Sequence, residues 1–204
     1  MTVNVANTVV NVFKPAEGDP PSRFTVAATA NAGASPPPAP TIRHDANGIV
    51  VDAPDPLSNL LVRVPQGVQL VVHSRKGNVN VIDISGDVSV HAGSGDVKIM
   101  VAGTAQASTL NGSINATIGA TTWPGTLRFS SQNGDVTVYV PQTAAFQARL
   151  HTDDGTLFTD FDLRGTSIGN NETIDAPVNH GSAFGLDLES KRGAVRLLRL
   201  TPQA

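Results

Sequence analysis

Three aspartates directly follow turn glycines and are the first candidates for metal chemistry: Asp87, Asp96 and Asp135. In calcium-binding β-rolls, aspartates repeated every nine residues hold ions between adjacent turns. The full Gly-Gly-x-Gly-x-Asp pattern of those proteins is missing, and only the Gly-Ser-Gly-Asp segment that ends at Asp96 approaches it. The simpler interpretation is that each aspartate caps its own turn through the backbone. We therefore predict no metal and no cofactor.

Three histidines, His73, His91 and His151, occupy outward positions in alternating segments. If their strands stack in register, two of them could be neighbours and bind a metal ion. Their separations of 18 and 60 residues match no known ligand motif. We therefore interpret them as solvated surface histidines.

A group of carboxylates late in the chain is the candidate for hydrolytic chemistry: Asp153, Asp154, Asp160, Asp162 and Glu172. Paired carboxylates about 5–9 Å apart can hydrolyse glycosides. Acidic residues beside glycine turns more often form the turns themselves. The chain also lacks the Gly-x-Ser-x-Gly, His-Glu-x-x-His and phosphate-binding glycine motifs. We predict no catalytic residues and a protein that is not an enzyme.

Two aromatic residues are candidates for contact with a surface ligand. Trp123, the only tryptophan, precedes Pro124 and Gly125 in a loop, where an exposed ring could stack on a sugar. The alternative is that Trp123 covers an apolar edge, because large aromatic side chains are mostly buried. Tyr139 and Met100 fall on the outward-facing positions of alternating segments, and both could belong to a contact patch.

A repeated β unit must position all these residues. Gly77, Gly86 and Gly95 open three consecutive nine-residue segments, Gly-Asn-Val-Asn-Val, Gly-Asp-Val-Ser-Val and Gly-Asp-Val-Lys-Ile. A turn glycine followed by an alternating apolar strand is typical of a stacked β architecture. The predicted turn glycines are Gly77, Gly86, Gly95, Gly112, Gly134, Gly155 and Gly193.

The fold predicted from these units is all-β, a single-stranded β-solenoid in which short strands stack as in a β-helix. The glycine intervals from Gly77 to Gly155 fit a coil of two nine-residue strands, whose valines would form one continuous aliphatic stripe. A β-sandwich of hairpins would give similar intervals. Sandwiches usually have longer strands and a more aromatic core, however, and aromatic residues make up only 4% of this chain.

The composition of residues 31–40 predicts a proline-rich linker. We therefore predict an N-terminal extension with strands and linker over residues 1–40, and a repetitive β-solenoid domain over residues 41–204. Residues 2–13 alternate weakly and are predicted to be an edge or capping strand. Residues 164–182 interrupt the repeat and are predicted to be the longest irregular insertion.

Charge and composition exclude several classes of function. The net charge is −3 without a Lys/Arg cluster, so nucleic-acid binding is not predicted. No apolar run of 18 residues occurs, so no transmembrane segment is predicted. Charged residues are only 15% of the chain, and its polar residues are mostly Thr, Ser, Asn and Gln, which favours a cell-envelope or secreted protein. The N-terminus lacks the pattern of an export signal, so a cytoplasmic location stays open.

The repeats resemble a bacterial family of unknown function labelled "putative adhesin", also called toast-rack proteins. The resemblance covers roughly residues 60–200 and is carried by Val64-Pro65-Gln66-Gly67-Val68, by the Gly-Asp-Val units at Gly86 and Gly95, by Ser131-Gln132-Asn133-Gly134-Asp135-Val136 and by Arg192-Gly193-Ala194-Val195. It implies a repetitive all-β domain of the cell envelope and supplies no catalytic residues.

These observations together predict a non-enzymatic, adhesin-like binding or scaffold domain of the cell envelope. Its ligand, a protein or a glycan, would contact the outward polar ladders and residues 164–182. Two alternatives stay open: a polysaccharide-active β-helical enzyme, and a scaffold that polymerises through its end strands unless residues 2–13 cap one end. The sequence leaves the oligomeric state open.

Overall fold

A computed structural model describes residues 1–15, 18, 24–29, 39–45, 48–53, 59–168, 171–181 and 183–200. These residues form twenty β-strands arranged in two sheets, which we name the eleven-strand sheet and the nine-strand sheet. Nothing in the described ranges forms a helix long and apolar enough to cross a bilayer. The all-β prediction is confirmed.

The eleven-strand sheet contains, in spatial order, β4 (Thr41–Asp45), β5 (Gly48–Ala53), β1 (Thr2–Asn7), β7 (Leu70–Lys76), β9 (Val88–Ser94), β11 (Ala105–Asn111), β13 (Thr126–Asn133), β19 (Gly185–Arg192), β15 (Phe146–Asp154), β18 (Asn171–Val178) and β17 (Thr166–Ile168). The nine-strand sheet contains, in the same direction, β3 (Thr25–Thr29), β6 (Asn59–Arg63), β2 (Val9–Phe13), β8 (Val79–Ile84), β10 (Val97–Val101), β12 (Ile114–Ile118), β14 (Val136–Pro141), β20 (Val195–Leu200) and β16 (Leu157–Thr159).

Between the two ends of the stack, each coil contributes one strand to each sheet, and neighbouring coils pair in parallel. In the middle of the stack, the coils β7/β8, β9/β10, β11/β12 and β13/β14 follow one another in sequence order. Val97 pairs with Val79 on one side and with Ile114 on the other, so repeat lies on repeat. Hairpins would pair adjacent strands antiparallel. The β-solenoid prediction is therefore confirmed, and the sandwich alternative is wrong.

The inward side chains of both sheets form one aliphatic core. Burial of this apolar surface is the main force that holds the coils together, since a short strand such as β10 buries only three side chains of its own. One column of the nine-strand sheet lies in register and is at most 1% exposed: Val10, Val79, Val97, Ile114, Val136 and Val195.

One corner of the stack is a column of glycines, which we name the glycine edge: Gly77, Gly95, Gly112, Gly134, Gly193 and Gly155. A Cβ atom added to Gly112 would lie 2.2 Å from the backbone oxygen of Gly95, and φ of Gly112 is +146°. Gly86 belongs to the other corner, where an added Cβ would meet the backbone oxygen of Val68. Glycine is required here because adjacent coils leave no room for a side chain.

The residue after an edge glycine binds the neighbouring coil. The Asp96 N–H donates to Asn78 Oδ1, the Ser113 N–H to Asp96 Oδ1 and the Ala194 N–H to Asp135 Oδ1, each at 2.9 Å. The expectation that these aspartates cap their own turns is wrong, because Asp96 and Asp135 accept from backbone N–H groups of the neighbouring coil and Asp87 Oδ1 accepts from Thr104 Oγ1. These hydrogen bonds stabilise the stack.

The N-terminal strands lie inside the stack. β1 pairs with β5 and β7, and β2 pairs with β6 and β8. The strands β3 and β4 form the end instead, each antiparallel to its neighbour. The expectation of an edge or capping strand at residues 2–13 is wrong, because Val3, Val5, Val10 and Val12 fill the core between two coils. The proposed boundary between residues 1–40 and 41–204 falls largely outside the described residues and stays a prediction.

The C-terminal end shows the same kind of threading. The last coil, β19/β20, lies between β13/β14 and β15/β16. Residues 164–182, predicted to be irregular, contain the antiparallel hairpin β17–β18, which pairs with β15; residues 169, 170 and 182 lie outside the described ranges. The irregular-insertion prediction is wrong, because β18 buries Ile174 and Val178 against the core.

Candidate binding face

The outer face of the eleven-strand sheet carries a continuous row of polar side chains, one from each of ten neighbouring strands. We name it the polar row: Thr41, Asp52, Asn4, His73, His91, Ser108, Ser130, Glu189, His151 and Thr173. None of the ten side chains is buried. Because strands lie about 4.8 Å apart, the row offers a hydrogen-bonding group at each step over about 40 Å.

A groove of about 570 Å³ lies on the part of the polar row that crosses β5, β1, β7 and β9. In it the Asn4 amide donates to Asp52 Oδ1 at 2.8 Å, and the Arg43 guanidinium donates to Asp52 Oδ2. The hydrogen bonds from Asn4 and then Arg43 lower the pKa of Asp52 and outweigh the opposing effect of burial. Asp52 is therefore ionised at neutral pH and is already neutralised by Arg43.

Two histidines of the polar row stack on each other in this groove. His73 and His91 are directly opposite on β7 and β9, with ring centroids 5.1 Å apart and an interplanar angle of 13°. Burial, and then the charge of His73, lower the pKa of His91, so its ring is neutral at neutral pH. The expectation that two outward histidines could be neighbours is thus confirmed for this pair. His151 lies four strands from His91.

A second groove, of about 420 Å³, lies farther along the same face. Three members of the polar row line it, Ser130, His151 and Glu189. Arg128 Nε and Asp187 Oδ2 pair at 3.2 Å beside them. The polar row therefore passes through two grooves. In the second groove, the charges of Arg128 and Asp187 are paired with each other.

Trp123 is not available to a surface ligand. Its side chain is 2% exposed, its Nε1–H donates to the Gly185 carbonyl at 2.8 Å, and its ring packs against Phe146 with centroids 5.4 Å apart. The prediction that Trp123 binds a surface ligand is therefore wrong, because the indole is part of the apolar core. The alternative, that it covers an apolar edge, agrees with this packing.

Tyr139 lies on the other face of the molecule. It is partly exposed on β14, and Thr117 separates it in register from Met100, which is 39% exposed. Ile82 and Leu198 flank this pair in the same register. We name this set of the nine-strand sheet the apolar row: Ile82, Met100, Thr117, Tyr139 and Leu198. A role of Tyr139 in binding stays a prediction.

The late carboxylates do not converge on a common site. Glu172 Oε2 accepts the Leu157 N–H at 2.7 Å, and Asp160 Oδ2 accepts a backbone N–H of β20 at 3.0 Å. Asp153 Oδ1 lies 2.9 Å from His151 Nε2. In the part of the chain that the structure describes, no three or more His, Asp or Glu side chains are grouped to hold a metal ion. Asp160 and Glu172 thus link neighbouring segments of the C-terminal coils, and Asp153 pairs with a side chain of its own strand.

Sequence reasoning missed six of the ten members of the polar row: Thr41, Asp52, Asn4, Ser108, Ser130 and Glu189. Their outward parity is visible in the alternation of their strands. Their alignment is not, because it depends on register between distant segments; Asn4 and Asp52, which hydrogen-bond, are 48 residues apart.

The fold and this face define a class: a two-sheet β-solenoid that presents a long polar surface with shallow grooves. The chain belongs to the family described as Toastrack DUF4097, which matches residues 65–193. The resemblance to toast-rack proteins predicted from the repeats is confirmed.

Among solved structures, a "putative cell adhesion protein" from Clostridium sporogenes ATCC 15579 is similar, with a TM-score of 0.55 and 9% identity. The match covers 98% of this chain and 92% of that chain. At this identity the likeness concerns the fold alone. No curated protein matches the chain.

Proposed function

We propose that the chain is a non-enzymatic, adhesin-like binding domain exposed at the cell envelope, and that its ligand lies along the polar row. The observation that carries this proposal is the unbroken register of ten polar side chains through two grooves. The toast-rack family and the fold likeness to a protein described as a cell adhesion protein support it.

The chemistry of the polar row favours an extended, hydroxyl-rich ligand such as an envelope glycan. The row presents hydroxyl, amide and imidazole groups, which can donate and accept hydrogen bonds. Of its two carboxylates, Asp52 and Glu189, the first is already paired with Arg43, so the row is not dominated by charge of one sign. Interfaces with folded proteins usually have a central apolar or aromatic anchor, and the polar row has none apart from the stacked imidazoles.

Neither alternative from the sequence gains support from the geometry. Three of the five candidate carboxylates, Asp153, Asp160 and Glu172, are engaged by a backbone N–H or by a neighbouring side chain. The outermost strands β3, β4 and β17 are antiparallel to their neighbours, and β16 and β17 have three residues each. Short edge strands that break the parallel pattern are a common protection against end-to-end stacking.

The test compares two faces of the same protein on an array of envelope glycans, with a chelator present throughout. The double variant Ser130→Ala/Glu189→Gln removes two members of the polar row. We expect it to lose at least about tenfold in affinity, equivalent to about 1.4 kcal/mol. Tyr139→Ala, on the apolar row, is the control and should bind as the wild type does.

The opposite pattern, in which Tyr139→Ala loses binding and the double variant keeps it, would move the binding site to the nine-strand sheet. The wild-type protein could instead bind no glycan on the array but bind an envelope protein through the polar row. That result would contradict a glycan as the ligand and would support the polar row as the binding face.

A further inference from the structure

We propose that His73 and His91 form a two-histidine binding site for a borderline divalent transition metal, Cu²⁺, Ni²⁺ or Zn²⁺, on the outer face of the eleven-strand sheet. The two residues are register partners on the adjacent parallel strands β7 and β9. Their rings are stacked with centroids 5.1 Å apart, and both side chains are exposed in the first groove.

The donor atoms select the class of metal. Imidazole nitrogen suits copper, nickel and zinc, whereas calcium and magnesium prefer oxygen ligands. Two nitrogens on one tetrahedral zinc, each about 2.0–2.1 Å from the metal, lie about 3.3 Å apart. The two exposed rings are stacked with centroids 5.1 Å apart, so metal binding would require the imidazoles to tilt toward each other about their side-chain torsions.

His91 is held in a form suited to metal binding. Its Nδ1 lies 3.0 Å from Ser108 Oγ, and its Nε2 has a longer contact, 3.3 Å, with Ser89 Oγ. The hydrogen bond on Nδ1 orients the ring, and a metal bound at Nε2 would replace the longer contact with Ser89. Ser108 is therefore a positioning residue for this site.

Two protein ligands leave coordination positions for water or for a group of the bound ligand. If the ligand lies along the polar row, the metal would contact it in the first groove; this last step rests on the proposed function. The binding of the metal itself does not, because it requires only His73 and His91.

His151 is a matched control on the same face. It also belongs to the polar row, but its ring nitrogens contact Thr173 Oγ1 at 3.0 Å and Asp153 Oδ1 at 2.9 Å, and no histidine is its register partner in β18 or β19. A general affinity of surface histidines for metal would affect His151 as much as the pair.

The test titrates chelator-treated protein, without glycan, with Cu²⁺ and with Zn²⁺ by isothermal titration calorimetry. We expect one equivalent to bind the wild type, and His73→Ala and His91→Ala each to lose at least about tenfold in affinity. His151→Ala should change the affinity by less than about twofold, and Ser108→Ala should lower it less than removal of a ligand does. Imidazole NMR signals of His73 and His91 should broaden first with substoichiometric Cu²⁺.

Equal broadening of His151, or wild-type affinity in both His73→Ala and His91→Ala, would overturn the site. Because this titration contains no glycan and the glycan array contains a chelator, either proposal can fail while the other stands.

Discussion

The glycine edge and the polar row run along the same stack, one residue per coil, and differ in what they allow. Along the edge the residue type repeats, because each position faces the backbone of the next coil at distances that exclude a Cβ atom. Along the polar row the type changes from strand to strand, because each side chain faces solvent. The comparison teaches that the residues which repeat in this chain are required for packing between coils. The outward residues, which vary from strand to strand, are the ones free to bind a ligand.

Gly112→Ala should cause the largest effect, a loss of about 3 kcal/mol in the free energy of unfolding. The new methyl group would lie 2.2 Å from the Gly95 backbone oxygen and would separate two coils. Gly67→Ala is the control, because Gly67 also has a positive φ, +73°, but no atom lies within 4 Å of its added Cβ. It should lose about 1 kcal/mol. Urea denaturation followed by circular dichroism measures both; equal losses would contradict the packing role of the edge.

Asp135→Ala should cost about 1 kcal/mol, because the Ala194 N–H and Arg196 both lose their partner on the glycine edge. Asp175→Ala, which removes an exposed pair with Arg149 and an exposed hydrogen bond from Gln147, should cost less than about 0.5 kcal/mol. The same urea titration separates them. A loss from Asp175→Ala as large as that from Asp135→Ala would show that the coil-to-coil bonds have no special weight.

The loss of folding stability at acidic pH should also depend on Asp135. The hydrogen bond from Arg196 is the main cause that lowers its pKa. A lowered folded pKa gives stability that is present above the unfolded pKa and is lost as the pH falls through the folded value. Asp135→Asn should therefore lose less stability than the wild type between pH 5 and the acid transition, measured by thermal melts. Parallel pH profiles of the two proteins would refute this link.

On the polar row, Ser130→Ala/Glu189→Gln should change the free energy of unfolding by less than about 0.5 kcal/mol, since both side chains face solvent. Its loss of glycan binding would then be a loss of contacts and not of folding. A destabilisation comparable to that of Gly112→Ala would mean that the row, too, is structural.

The smallest expected effect is the pH response of His91. Its pKa is lowered from 6.5 by burial and then by His73, so the unfolded chain binds a proton first. Stability should therefore fall as the pH decreases through about 6.5 and stop falling below the lowered folded pKa. His91→Gln should remove this slope, and His73→Gln should reduce it less, because burial is the larger cause. Thermal melts from pH 7.5 to 5 would show whether the slope belongs to His91.

Local patterns predicted much of the architecture and little of the candidate site. The turn glycines and the alternating strands that contain Val79, Val97 and Ile114 predicted the coil, because every coil makes the same contacts at these positions. Trp123 was ambiguous, because a lone aromatic in a loop has no periodicity that tells which side it faces. The pairing of Asn4 with Asp52 and His73 could not be predicted, because it joins strands that are adjacent in the stack but not consecutive in the sequence.

By itself the amino-acid sequence determined which side of each strand is apolar, where each coil turns and that the coils must stack, since these follow from alternation and from the absence of a Cβ atom at the corners. Only the tertiary structure decided the order of the coils at the two ends, where β1/β2 and β19/β20 lie between coils that are not their neighbours in sequence. The physical reason is that every coil offers nearly the same backbone edge to its neighbours. The choice among them depends on the burial of non-local side chains, and that choice aligns the outward residues into the polar row.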